Sequence, residues 1–213
     1  LATTNAGKIR ELAEPLSALG IEVLGLSDFT EIGEIEETGN TFAENALIKA
    51  AAVAKQIGLV AVADDSGLCV DALQGRPGVK SARFADDVAA LPGENRDQRN
   101  IRKLLDLMKG KQDRKAHFET CMAAVAPNGE KLVVSGQWPG QILQNPRGAN
   151  GFGYDPVFFD SALGKAAAEL NLAEKNAVSH RGRAVRALLD AWPGFAARVY
   201  YFFLGLRPHF FIK

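Results

Sequence analysis

Two cysteines among 213 residues, Cys69 and Cys121, are too few for a disulfide framework, and neither has a CxxC or Cys/His spacing. Both lie on apolar, strand-like stretches, so they read as buried thiols of a reducing compartment rather than as zinc ligands or a disulfide. Charge of one sign is also missing, because 25 Lys and Arg balance 25 Asp and Glu. That balance argues against binding a nucleic-acid polymer and against a polybasic membrane patch. An anionic ligand must then be held by local groups. No apolar run approaches the roughly 20 residues of a bilayer span, and no charged-then-apolar leader precedes the first segment. The expected location is the cytoplasm. The chain opens at Leu1-Ala2-Thr3 without methionine, which reads as an incomplete start. There is no repeat, low-complexity segment or linker, so nothing points to separable domains.

The apolar content of 47% is enough for a normal core. Residues 1–4 read as the end of a strand, and Ile9, Leu12, Leu16 and Leu19 have helical spacing before Gly20. Residues 21–26 read as a short strand and residues 28–37 as an acidic loop. Thr41-Phe42-Ala43-Glu44 has the form of a capping box opening a helix to about Gln56. Residues 58–63 read as a buried strand that runs into a turn at Asp64-Asp65-Ser66-Gly67. Loops at 76–78 and 86–94 precede an amphipathic helix over 97–108. The runs 116–126 and 131–142, joined by Pro127-Asn128-Gly129-Glu130, read as a β-hairpin. A glycine-rich loop over 148–156 and a helix over 173–191 follow. Early alternation of strands and helices with a late hairpin suggests an α/β protein with a mixed sheet. The tail from Pro193 to Lys213 concentrates aromatics and reads as a segment apart, which covers a sheet edge, packs at an interface or is an aberrant end.

Adjacent carboxylates at Asp64-Asp65 repel unless a cation, a proton or hydrogen-bond donors compensate, and a divalent metal does so in phosphate chemistry. The alternative is a solvated Asp-Ser-Gly turn. Glu37, in the loop before the capped helix, could share a hard cation with Asp65. Glu44 is either a further ligand or simply the helix cap. Lys49, one turn beyond Asn45, either faces the same rim or is solvated. Thr3, Thr4, Asn5, Ala6, Gly7 and Lys8 lie between a strand and a helix, where hydroxyls, backbone N–H groups and a lysine can converge on phosphate. Ala2 and Ile9 stand where a P-loop needs Gly and Ser or Thr, so that motif is rejected. Phe152, Gly153, Tyr154 and Asp155 place two aromatics among glycines, which suits either stacking on a flat ligand or a structural turn. Lys175, His180 and Arg181 add donors, His180 being alternatively a core histidine.

Five motifs, Thr-x-Asn-x-Gly-Lys, Glu-Thr-Gly-x-Thr-Phe-x-Glu-Asn-Ala, Ala-Asp-Asp-Ser-Gly-Leu, Gly-Phe-Gly-Tyr-Asp-Pro and Lys-x-x-x-Ser-His-Arg-Gly, occur in that order between Thr3 and Gly182, within a match that runs over about residues 1–192. Together they resemble the inosine triphosphate pyrophosphatase family, whose bacterial members hydrolyse noncanonical purine nucleoside triphosphates such as ITP, dITP and XTP. The resemblance implies a single α/β domain over 1–192, with a mixed, elongated, twisted sheet, flanking helices and two lobes around a central substrate cleft. The tail 193–213 has no counterpart. It further implies a homodimer and Mg²⁺-dependent cleavage between the α and β phosphates, giving a nucleoside monophosphate and pyrophosphate. Thr3 to Lys8 would bind the triphosphate, and Glu37 and Asp65 would hold Mg²⁺. Asp65 would accept the proton, with Asp64, Glu44 and Lys49 around the centre and Ser66 touching substrate. Phe152 to Asp155, Lys175, His180 and Arg181 would form the base and sugar end. Other readings are a pyrophosphatase for modified pyrimidine nucleotides and a noncatalytic nucleotide sensor.

Overall fold

A computed structural model describes residues 2, 9, 13, 16–17, 20–29, 32–33 and 35–203, the last three by backbone alone. The expected phosphate loop, Thr3 to Lys8, lies outside the described residues, as do most of residues 1–19 and the tail from 204. The described chain is an α/β fold with a five-stranded sheet in the order β1-β2-β3-β4-β5. The strands are β1 (Ala61–Val70), β2 (Lys115–Val125), β3 (Lys131–Ile142), β4 (Phe158–Asp160) and β5 (Lys165–Ala166). The β3–β4 and β4–β5 pairings are antiparallel, with Gln141 opposite Phe159 and Phe159 opposite Ala166. Four α-helices accompany them among the described residues, α1 (Phe42–Ile57), α2 (Arg96–Leu107), α3 (Leu172–Val178) and α4 (His180–Phe203). None is long and apolar enough to cross a membrane.

The chain divides into two compact units. One comprises Leu1–Asp65, Cys121–Val134 and Ala184–Lys213, the other Ser66–Thr120 and Ser135–Arg183. In the first, Val62 and Met122 from strands pack with Ala184, Leu188, Trp192 and Phe195 from one face of α4. In the second, Phe118, Trp138 and Phe158 form an aromatic centre with ring centroids 4.5–6.2 Å apart. Each such fully buried side chain contributes about 1.5–3 kcal/mol of transfer free energy. The Trp138 indole satisfies its buried N–H by donating to Asp160 Oδ2 at 2.7 Å.

The capping box at Thr41 forms as expected. Glu44 N donates to Thr41 Oγ1 at 3.2 Å, Thr41 N donates to Glu44 Oε2 at 3.1 Å, and Gly58 in the left-handed region closes α1. Asn95 and Gln98 cap α2 in the same reciprocal way. The hairpin is present as β2 and β3, its turn closed by Ala126 N donating to Glu130 O at 2.9 Å.

Three expectations about local structure are corrected. No strand spans residues 21–26: Gly25 N donates to Asp28 Oδ2 at 2.8 Å and Leu26–Asp28 forms a 3₁₀ turn. The aspartate offers the backbone a local partner in place of a ladder. Asp64-Asp65-Ser66-Gly67 is not a turn at a strand end, because β1 continues through it for ten residues. Leu68 and Val70 are fully buried in the second unit's core, and their burial outweighs the turn preference of an Asp-Ser-Gly sequence. The single helix expected over 173–191 is two helices. Ser179 interrupts it with extended backbone, and its Oγ accepts from Gly182 N at 3.1 Å. The second helix then passes through Pro193 to Phe203. Trp192, Phe195, Ala196 and Val199 keep the apolar stripe on the core, which offsets the roughly 3 kcal/mol cost of an interior proline.

Candidate active site

In the first unit the site grows from the start of α1. Gly39 N donates to Asn45 Oδ1 at 2.8 Å, which pins the loop before the helix to the helix itself. A Cβ at Gly39 would lie 2.7 Å from Asn45 Oδ1 and 2.6 Å from Glu44 Cβ, so only glycine permits this approach. Asn45 turns its other end to β1, donating from Nδ2 to Asp65 Oδ2 at 3.0 Å. Lys49, four residues on, presents Nζ 2.5 Å from Glu37 Oε1 and 3.9 Å from Asp65 Oδ1. The helical i,i+4 spacing thus brings an amide and an ammonium to the same carboxylate. Side-chain exposures of 16%, 26% and 11% for Lys49, Glu37 and Asp65 make this a partly dry site, where such pairs are strong.

The donor set suits a hard divalent ion. Two carboxylates converge on one positive group, the Lys49 ammonium, so the arrangement already accommodates a cation between them. Glu44 is engaged otherwise: its Oε2 accepts from Asn40 N at 2.6 Å as well as from Thr41 N, as a cap does. Asp64 is buried beside Asp65 in β1, and Ser66 follows half-buried. Strand geometry separates the two carboxylates that neighbouring turn positions would have crowded together.

In the second unit the Gly151–Asp155 loop is fastened at three points. Asp155 accepts from Phe152 N at 2.9 Å and is ion-paired with Lys175; Gly153 N donates to Asp97 Oδ2 at 2.7 Å; the Tyr154 hydroxyl donates to Ser81 O at 2.8 Å. Gly151 has φ of +78°, and a side chain there would run into the Asp155 carboxylate. Of the two aromatics, Tyr154 is buried, and burial together with the Asp97 charge pushes its hydroxyl above the usual tyrosine range. Phe152 instead is 66% exposed, with Lys175 Nζ 4.9 Å from its ring centroid. His180, the first residue of α4, stacks on Phe118 at 4.9 Å and 17°. Arg181 follows it, half-buried.

Residues singled out from sequence therefore gather in two places, Glu37, Lys49 and Asp65 in the first unit, and Phe152, Asp155 and Lys175 in the second. Asn45 was missed as a site residue, although its place one turn before Lys49 was the available signal. Asp97 and Ser81 were missed too. An aspartate in the first turn of a helix reads as a dipole partner, and nothing local links either residue to a loop more than 50 positions away.

The sequence matches the Ham1 family over residues 1–191. It is 56% identical over 197 residues to a dITP/XTP pyrophosphatase of Nitratidesulfovibrio vulgaris, covering 92% of this chain and 95% of that protein. A dITP/XTP pyrophosphatase of Shigella flexneri is 49% identical over 195 residues, with 90% and 95% coverage. Among solved structures, the Staphylococcus aureus Ham1 protein superposes with a TM-score of 0.82 at 39% identity, covering 91% of this chain and 96% of that one. A HAM1 protein from Coxiella burnetii gives 0.82 at 42% identity, with 90% and 96% coverage. The chain belongs to the Ham1 family.

Proposed function

We propose that the protein is a nucleoside triphosphate pyrophosphatase that hydrolyses noncanonical purine nucleotides, dITP, ITP and XTP, to the monophosphate and pyrophosphate. The observation that carries this reading is the Lys49 ammonium between the Glu37 and Asp65 carboxylates, with Asn45 holding Asp65 from the other side. The names of the family relatives agree with it.

Glu37 and Asp65 are the residues that would hold a divalent ion, and Mg²⁺ is the natural one for oxygen donors and a phosphate substrate. When bound, it supplies charge neutralisation of the phosphates and a water of lowered pKa. Asp65 accepts the proton of the attacking water. Asn45 fixes the orientation of that carboxylate, because a hydrogen bond at Oδ2 leaves the edge carrying Oδ1 toward Lys49. Lys49 offsets the negative charge of both carboxylates and adds positive charge where phosphate charge accumulates. Asp64 supports this centre and Ser66 touches substrate, while Thr3 to Lys8 bind the triphosphate. The Phe152 ring takes a face of the purine. Lys175, His180 and Arg181 recognise the 6-keto edge, an adenine amino group leaving their donors without acceptors. The enzyme works in the cytoplasm as a homodimer.

The test is the product pair formed from ITP and XTP with and without Mg²⁺. Metal-dependent release of pyrophosphate, with little action on ATP, is expected. Release of orthophosphate, or equal turnover of ATP, would overturn the reading. Light scattering on the purified chain reports the dimer.

A further inference from the structure

We propose that Cys69, His117 and Glu119 form a binding site for a thiophilic divalent cation, Zn²⁺ foremost, in the second unit. Their ligand atoms lie within 4.8 Å of one another. Cys69 is on β1, and His117 and Glu119 are alternate residues of β2, the neighbouring strand of the sheet. Alternate strand residues project from one face, which is why two ligands from β2 meet one from β1. None of the three belongs to the acidic centre of Glu37 and Asp65, which lies in the first unit.

The donor set separates this site from one for Mg²⁺. A thiolate and an imidazole select zinc-like ions over hard ones, and three protein ligands leave a fourth tetrahedral position to water. Ligand atoms around such an ion stand about 3.3–3.8 Å apart, so closure needs a side-chain adjustment of about an ångström. His117 Nε2 and Glu119 Oε2 are already 3.5 Å apart. The site also has outer support. Gln137 Nε2 donates to Glu119 Oε2 at 3.1 Å, and the Cys69 backbone pairs with Pro77 in an isolated antiparallel β-bridge. Thiolate and carboxylate together carry two negative charges, matching the ion.

Binding forms the sulfur–metal bond and releases the thiol proton to solvent. No electron is transferred. The cation clips β1 to β2.

The experiment uses the full chain without an affinity tag, stripped with chelator and held in excess Mg²⁺ so that the acidic centre is occupied. Co²⁺ serves as the spectroscopic probe and Zn²⁺ as competitor. One equivalent of Co²⁺ should give a near-ultraviolet thiolate charge-transfer band with intense tetrahedral visible bands, and Zn²⁺ should displace it. Cys69→Ser should abolish the band, Cys121→Ser should retain it, and His117→Gln should weaken Zn²⁺ binding at least tenfold. His117 is half-exposed, so that variant remains informative if Cys69→Ser does not fold. A Co²⁺ spectrum without thiolate character, or Zn²⁺ affinity unchanged in His117→Gln, would overturn the proposal. Pyrophosphate release is unaffected by either outcome, which keeps this test separate from that of the activity.

Discussion

Asn45 donates to Asp65 across 3.0 Å between α1 and β1, with both residues buried, and its carbonyl end simultaneously receives Gly39 N. One amide therefore ties the loop carrying Glu37 to the carboxylate that shares Lys49 with it.

Replacing Asn45 removes both bonds at once. Asn45→Ala is expected to lose about 1–3 kcal/mol of stability, the cost of stranding buried polar groups, with turnover falling about tenfold or more. Asn45→Asp should be worse for activity, since it sets a second carboxylate against Asp65. Thermal denaturation alongside a pyrophosphate assay measures both effects, and full activity in Asn45→Ala would remove the residue from the mechanism.

Asp65→Asn keeps the shape and the bond from Asn45 while removing the proposed proton acceptor. Turnover of ITP is expected to fall about 10²–10⁴-fold. Nucleotide binding, followed by calorimetry, should remain measurable. Retained turnover would refute the role assigned to Asp65.

Phe152 has little structural work to do, since its ring is 66% exposed and the loop is held by Gly153, Tyr154 and Asp155. Phe152→Ala should leave the melting temperature unchanged and raise KM for purine substrates about two- to tenfold, the worth of one aromatic contact of roughly 0.5–1.5 kcal/mol. Because stacking acts equally on bound substrate and transition state, kcat should change little. A fall in kcat with KM unchanged would speak for a different role.

Tyr154 links stability to alkaline pH. Its folded hydroxyl is raised above the ordinary value of 10.0 by burial and by Asp97, so the folded state holds the proton more tightly than the unfolded chain does. The contribution is fully present below about pH 10 and is lost as pH rises from there through the folded value. Tyr154→Phe should therefore be less stable at pH 7, by about 1 kcal/mol for the lost bond to Ser81 O, and its stability should decline less steeply in alkaline buffer. Denaturant titrations at pH 7 and above pH 10 compare the two slopes.

Much of the fold was legible because its signals are local. The Thr41–Glu44 cap, the turn between β2 and β3, and the amphipathic α2 each announce themselves within a dozen residues. The carboxylates and Lys49 were legible as candidates for a related reason: like charges in an apolar stretch need compensation wherever they fold. Asp97 and Ser81 carried no such mark, since each looks ordinary until Gly153 and Tyr154 arrive beside it. Ser179 was read as helix interior although its Oγ accepts from Gly182 N only three residues on, which is itself a local capping signal.

By itself, the sequence determined the family, the capped helices, the apolar stripes and the inventory of acids and donors, since all of these depend on near neighbours and residue chemistry. Tertiary structure decided the rest. It drew Asp64-Asp65-Ser66-Gly67 straight through β1 because Leu68 and Val70 had a core to enter. It sent Tyr154 inward while leaving Phe152 outside. Sheet pairing brought Cys69 to His117 and Glu119, 48 and 50 positions away, a meeting that no spacing rule encodes. Contacts of that range are set by which faces can be buried together, and burial belongs to the folded chain as a whole.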